Sequence, residues 1–296
     1  MTGTSRGTAI AAVWDLQSVW SQAAGHLKKQ VMRARAMALA LGVAAAALGT
    51  AASQTLAWNE TVGRVLAFAA AVAAGCVPLM GQRGGPEKVS DWTRLRAVSE
   101  ALKTESYVYL AGVGSYRGIE RAGELLRART DKFVADGSDL LRHTTGVTAV
   151  ARSVPEVRDI ASYVEHRLRQ QLEGYYRPRA AYLHRKVQMH ERGEFALGAL
   201  GAMLAAVTAA WGVDQVAAWV AVVASIGVAV TAHALAQRYA YQQLEFTRTE
   251  AELERLLAQW SAEPDMQPEA ADRFVAECEH VISVQNEAWM VRWTVG

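Results

Sequence analysis

The side chains that could act chemically on a substrate are few and scattered. His166, His184 and His190 fall in one polar stretch. A zinc site needs three or four converging ligands, and no HExxH pattern or carboxylate at matching spacing accompanies these histidines. Gly112-Val113-Gly114 runs into Ser115-Tyr116 with no following Gly-Lys-Ser/Thr, so it is not a loop that cradles nucleotide phosphates. Glu277 and Glu279 beside His280 read as the solvated face of a helix. Cys76 lies in an apolar run and Cys278 near the C terminus, which gives neither a disulfide framework nor a thiolate metal site. These residues predict no catalytic centre, no cofactor and no metal, hence a protein that is not an enzyme.

The elements that would have to position any site are better defined. Of the 296 residues, 51% are hydrophobic and 20% charged, with a net charge of +2, all ordinary as averages. Their placement is not ordinary. No Asp, Glu, Lys or Arg occurs in the 24 residues between Arg35 and Glu60, the 18 between Arg64 and Arg83, the 19 between Glu194 and Asp214, or the 23 between Asp214 and Arg238. A helix of about 20 apolar residues crosses a bilayer, and four such runs in two tight pairs exceed what the core of a soluble bundle would bury. The expected fold is an all-α integral membrane protein with two transmembrane helical hairpins, spans 36–58 and 63–82, then 194–213 and 215–237, and long amphipathic cytoplasmic helices. The start is polar and the first run is too long for a cleaved leader, so no signal peptide is expected.

Charge is sorted along the chain. Residues 1–35 carry five cations and one acid, residues 82–194 twenty and fifteen, and residues 238–296 five and eleven. Cations crowd the outer ends of the apolar pairs: Lys28, Lys29, Arg33 and Arg35, then Arg83 and Lys88, then Arg185, Lys186 and Arg192, then Arg238. The positive-inside rule makes these membrane-interface residues and puts both termini and the central block in the cytoplasm. Apolar spacing predicts a helix over 10–35 through Val13, Leu16, Trp20, Ala24, Leu27 and Val31. Ser90 and Asp91 are candidate N-caps for a helix over 92–110 after the break at 81–86, with further helices over 119–129 and 138–142. A long polar helix is expected from Pro155 to 192, a charged one over 238–260, and a last one over 269–293 with Phe274, Cys278, Ile282, Trp289 and Trp293 in one stripe.

Within the spans the polar groups are Thr50, Ser53, Gln54, Thr208, Ser225 and Thr231. They either bond neighbouring helices, at about 0.6–2 kcal/mol each, or line a wet path in an oligomer. His233, close to Arg238, reads as interfacial. Small residues four apart, such as Gly42, Ala46 and Thr50 or Gly198, Ala202 and Ala206, allow close helix approach. The segment 163–180 mixes cations with aromatics ahead of the third run. Composition favours anionic headgroups, at about 1 kcal/mol per basic residue, over a phosphate-bearing small molecule or a partner. Arg167, Gln171 and Tyr175, four apart, share one face of an α-helix and suit packing against other cytoplasmic helices.

Arg167, Gln171, Tyr175, Tyr176 and Ala180 ahead of a two-span pair, with Glu279, Glu287 and Trp289 in a C-terminal helix, resemble the SLATT family, two-transmembrane effector domains associated with SMODS nucleotidyltransferases and SLOG sensors. Gly174 departs from the pattern, which has an aromatic there. Trp92 to Tyr116 looks like the stretch after the hairpin in a companion subtype. The resemblance implies a tandem: residues 1–150 as a first unit (helix 10–35, spans 36–58 and 63–82, helices 91–150) and 151–296 as a second (helix 155–192, spans 194–213 and 215–237, helices 238–296). It further implies an effector of a prokaryotic conflict or antiphage system in the bacterial inner membrane, oligomerising to permeabilise the bilayer and cause cell death or arrest. Its partners would be the lipid bilayer, further copies of itself, and a nucleotide second messenger or a separately encoded sensor or nucleotidyltransferase, with no nucleic acid. A membrane-anchored sensor or scaffold is the alternative. A small solute transporter loses ground because no span carries charge or a clear Gly/Pro break, Pro78 lying near the end of its run.

Overall fold

The structure, a computed structural model, describes residues 2–212, 214–263 and 265–294; the side chains of residues 2–6, 214–215, 233, 236–237 and 284–294 lie outside the described set, and with them those of His233, Glu287, Trp289 and Trp293. All elements are helical, and no strand occurs among the described residues. Helix α1 spans Thr2–Thr55 and α2 Glu60–Arg83. Asn59 caps α2, its side chain accepting from the Val62 amide at 3.1 Å. Helix α3 is Pro86–Ala111, so it starts ahead of the expected Trp92: a proline in the first turn lacks only an N–H that has no partner there. Ser90 and Asp91 therefore lie inside the helix, where the Asp91 carboxylate accepts from Arg142 at 2.7 Å and contacts His143 at 3.0 Å.

A 3-10 turn at Gly114–Tyr116 leads to α4, Ala122–Asp136; a second at Ser138–Leu140 leads to α5, Leu141–Thr144. Helix α6, Ile160–Tyr163, begins five residues later than expected, because Asp159 and Ser162 form a reciprocal capping box. The chain then makes two π-helical segments, Val164–Arg169 and Leu172–Tyr176, before α7, Arg177–Trp211. Gly212, at φ +64, stops α7 with its amide on the Thr208 carbonyl. Helix α8 is Asp214–Gln237, α9 Tyr239–Ala262 and α10 Pro268–Thr294. Arg238 separates α8 from α9 in the left-handed region, φ +51, where glycine or asparagine is usual.

By length and composition, three helices can cross a membrane, within Gly7–Thr55, Glu60–Ala111 and Ile160–Trp211; the apolar part of α8 found among the described residues, Val216–Ala232, is shorter.

The chain forms two compact units, each drawing on both halves of the sequence. Unit 1 comprises Met1–Lys29, Pro86–Ala180 and Leu244–Gly296. Its core is aromatic and leucine-rich, with Trp20, Trp92, Leu95, Leu102, Tyr116, Leu126, Tyr163, Leu168 and Tyr176 all buried. Polar ties bind its segments: Trp14 Nε1 donates to the Ser153 carbonyl at 3.1 Å, Gln17 to Ser99 at 2.9 Å, and Arg117 and the Gly114 amide both donate to Asp272 of α10.

Unit 2 comprises Gln30–Gly85 and Ala181–Gln243. Its surface is the inverse of a soluble one, with Trp58, Phe68, Phe195, Met203, Trp211, Val228 and Leu235 all exposed. Helix α2 meets α1 at both of its ends. Arg35 Nε donates to the Gly84 carbonyl at 3.4 Å, and at the other end Gly63 lies against Leu56. A Cβ at Gly63 would stand 2.6 Å from Leu56 Cγ and 2.9 Å from its Cα. Gly63→Val is accordingly expected to destabilise the protein by roughly 1–3 kcal/mol, lowering its melting temperature in detergent. Gly75→Ala, where nothing lies within 4 Å, should leave the melting temperature in place.

Candidate functional site

In unit 1 a charged pair is sealed in the core. Arg167, on the first π-helical segment, is 1% exposed, and Glu279, on α10, 4%. The guanidinium is bidentate on the carboxylate, Nε to Oε1 and Nη2 to Oε2, both at 2.8 Å. Tyr163 donates to Oε1 at 2.9 Å and Thr104 of α3 to Oε2 at 2.7 Å, so four donors converge on one carboxylate. The Arg167 guanidinium also lies over the Tyr107 ring, 4.5 Å from its centroid, and Tyr107 packs edge-on against Trp14 and Tyr163. Burial by itself pushes the Glu279 carboxyl up, but the Arg167 charge and the bonds from Arg167, Thr104 and Tyr163 outweigh it and hold it below its usual value. The Tyr163 hydroxyl is pushed well up by burial and the Glu279 charge, which fixes it as a donor.

The π-helical segments set this geometry. Their i→i+5 bonding widens the turn beyond 3.6 residues, and the side chains buried along them are Tyr163, Val164, Arg167, Leu168, Leu172 and Tyr176. Arg167, Gln171 and Tyr175 consequently do not share one environment. Arg167 is buried, Gln171 half-buried and Tyr175 37% exposed, its ring against Tyr176 and Phe246. Two sequence expectations are corrected here. Arg167 is not available to lipid headgroups, and Glu279 is not on a solvated face, although its neighbours Glu277 and His280 are exposed and Glu277 pairs with Arg255 at 2.6 Å. Ala180 is buried as α7 begins. Tyr163 and Thr104 were legible only as members of longer segments.

The interface cations take several positions. Lys29, Arg33, Arg83, Arg185 and Arg192 are exposed, and Lys186 lies over Tyr182. Lys28 instead sits over the Trp92 ring inside unit 1, 5.5 Å from its centroid.

In unit 2 the polar groups of the apolar runs divide into two kinds. Ser53, Thr208 and Ser225 donate to carbonyls of their own helices, Thr50, Leu204 and Ala221. Gln54 and Thr231 bond across helices: Gln54 Oε1 accepts from Trp219 Nε1 at 3.1 Å, and Thr231 donates to Glu194 Oε1 at 2.8 Å. Thr50 is half-buried. Between α7 and α8 lies a cavity of about 360 Å³ lined by small and apolar residues, among them Gly198, Gly201, Val223 and Gly227, with Glu194 and Thr231 its polar lining. His184 bonds Gln188 and Gln243, and His190 stacks on Tyr239.

Apolar helices of spanning length, an inverted surface on unit 2 and a unit 1 with an aromatic, leucine-rich core together mark an all-helical membrane protein. Residues 163–289 match the family model of the SMODS and SLOG-associating 2TM effector domain 1 (SLATT_1), and residues 18–122 match that of a protein of unknown function, DUF4231. The SLATT resemblance is thus supported for one domain, which contains both Arg167 and Glu279, while the earlier part of the chain matches a different family. No curated protein and no solved structure matches the chain.

Proposed function

We propose that the protein is a membrane effector of a prokaryotic nucleotide-activated defence system that acts without catalysis. In this reading it crosses the inner membrane four times as two hairpins with both termini cytoplasmic, the chain being a tandem of SLATT-like units. On activation it oligomerises and permeabilises the bilayer, arresting or killing the cell. The observation that carries the reading is the division of labour between the units. Unit 2 presents apolar surface suited to lipid, with Trp58, Trp211 and Trp219 near its helix ends where aromatic residues anchor at the interface. Unit 1 holds the buried Arg167–Glu279 pair, a discrete packing arrangement that a signal could disturb.

The test is to induce the full chain, with and without its neighbouring genes, and follow membrane potential with a dye alongside growth. Collapse of potential on activation is expected; an intact potential under established activation overturns permeabilisation. Gln54→Leu and Thr231→Val, each removing a bond between helices, should weaken the collapse several-fold, because such bonds contribute roughly 0.6–2 kcal/mol to helix association. The hydroxyls of Ser53, Thr208 and Ser225, bonded to their own helices, favour the second reading, in which the spans only anchor a sensor or scaffold. In that case none of these substitutions would alter potential.

A further inference from the structure

Unit 1 as a whole is slightly acidic, with 23 Lys/Arg against 25 Asp/Glu, but one seam of it gathers more cations than carboxylates. On α3, Arg96, Glu100 and Lys103, four and three apart, form one stripe. Lys28 from α1 lies within electrostatic reach of Arg96 and of Arg179 at the start of α7; Lys103 lies within reach of Arg96 and Arg167. Five cations therefore adjoin two described carboxylates, Glu100 and Glu279. Those two are engaged: Glu279 is bidentate with Arg167, and Glu100 stands 3.4 Å from Arg96, which also bonds Tyr175. Lys103 has no ion-pair partner among the described residues. Burial first, then neighbouring cations, pushes both Lys28 and Lys103 down to about 8. In addition, Arg167 Nη1 is buried with no hydrogen-bond partner, although its sister nitrogens are both used. An orphan donor of that kind in a closed core calls for an explanation.

Excess cations held partly out of water weaken a fold unless an anion joins them. From Arg96 to Lys103 the stripe covers about 10 Å at 1.5 Å per residue, and Lys28 extends it past Trp92. That length is too great for one phosphate. We propose that this seam of unit 1 binds a polyphosphorylated anion, with Lys28 and Lys103 as its charge partners and Arg167 Nη1 as its buried donor. The inference deepens the proposed function by giving the cytoplasmic unit a ligand class, and rests on that reading only for its consequence. Binding at equilibrium is measured without any membrane current, so its failure and the failure of permeabilisation are separate results.

The experiment uses the full-length chain in nanodiscs of neutral phosphatidylcholine, titrated calorimetrically with inorganic tripolyphosphate. Saturable binding is expected, weakening as salt screens the charges. Lys28→Gln and Lys103→Gln should each reduce affinity roughly tenfold, the range of a charge-assisted hydrogen bond, and Lys103→Arg should restore it. Lys132→Gln, at an exposed site on α4, should bind as the parent does. A second arm uses discs containing cardiolipin, whose headgroup carries two phosphates. Loss of tripolyphosphate affinity there, with affinity retained in the neutral discs, supports the site with a lipid as its phosphate source; unchanged affinity supports a soluble ligand. No binding in either disc, or binding as tight in Lys28→Gln and Lys103→Gln as in Lys132→Gln, overturns the proposal.

Discussion

Glu279→Gln should destabilise unit 1 by about 3–5 kcal/mol, the cost of leaving one member of a buried ion pair without its counter-charge. The residue is nearly isosteric, so the loss would be electrostatic: Arg167 would remain charged in the core beside Tyr107 with a neutral amide in place of a carboxylate. Arg167→Met should cost a similar amount by stranding the carboxylate with only Tyr163 and Thr104 as donors. The double variant Arg167→Met with Glu279→Met removes both charges and is expected to recover most of the stability, since well-packed apolar replacements of such pairs are often neutral or better. Thermal or denaturant unfolding of the full chain in detergent measures all three. Single variants within 0.5 kcal/mol of the parent (roughly the scatter of a surface substitution) would show that the pair is not coupled to folding. The pH dependence has a definite sign. Because Glu279 titrates below its unfolded value of about 4.3, its contribution is complete above that value and is lost as pH falls through the folded one.

Lys103→Met should act in the opposite direction and stabilise the unliganded protein. The Lys103 ammonium titrates at about 8 in the fold, lowered mainly by burial and then by Arg167, against about 10.4 when unfolded. Between those values the unfolded chain binds more protons, so stability climbs with pH across the window, and the penalty for holding the charge is fully present below about 8. Allowing for solvent screening of a half-buried side chain, the gain at pH 7 is expected to be roughly 1–3 kcal/mol, shrinking to nothing by about pH 10.4. Melting temperatures of parent and variant across pH 6–11 (the span of about 2.4 pH units between the two titrations, with margins) test this. A gap that does not narrow with rising pH would show that lost charge is not its cause. Saturating tripolyphosphate should erase the advantage of the variant, because the anion supplies the counter-charge that the fold lacks.

The burial of Arg167, Glu279 and Lys103 is not legible in the local sequence. Arg167 and Glu279 stand out in the sequence through the SLATT pattern rather than through local chemistry. By local rules Glu279 stands between Cys278 and His280 on a helix rich in acids, and an α-helical wheel leaves it solvated. It is buried because α10 packs on α3 and on the π-helical segments, bringing Thr104, Tyr163 and Arg167 to it over separations of more than 100 residues. A period of 3.6 puts Arg167, Gln171 and Tyr175 on one face, whereas along the π-helical segments Arg167 is buried and Tyr175 is exposed. Lys103 and Arg96 carried no local signal, since their significance lies in Lys28 and Arg179, which come from other helices.

The sequence by itself determined that the chain is helical, that its apolar residues are gathered into runs of spanning length, and that cations flank those runs. These properties follow from local composition and periodicity, which need no knowledge of what packs where. Only the tertiary structure decided that each compact unit draws on separated stretches of the chain, that one carboxylate of the acidic tail is buried against Arg167, and that cations from four segments share a seam. Burial and electrostatic pairing depend on distances between residues remote in the chain, and those are set by packing alone.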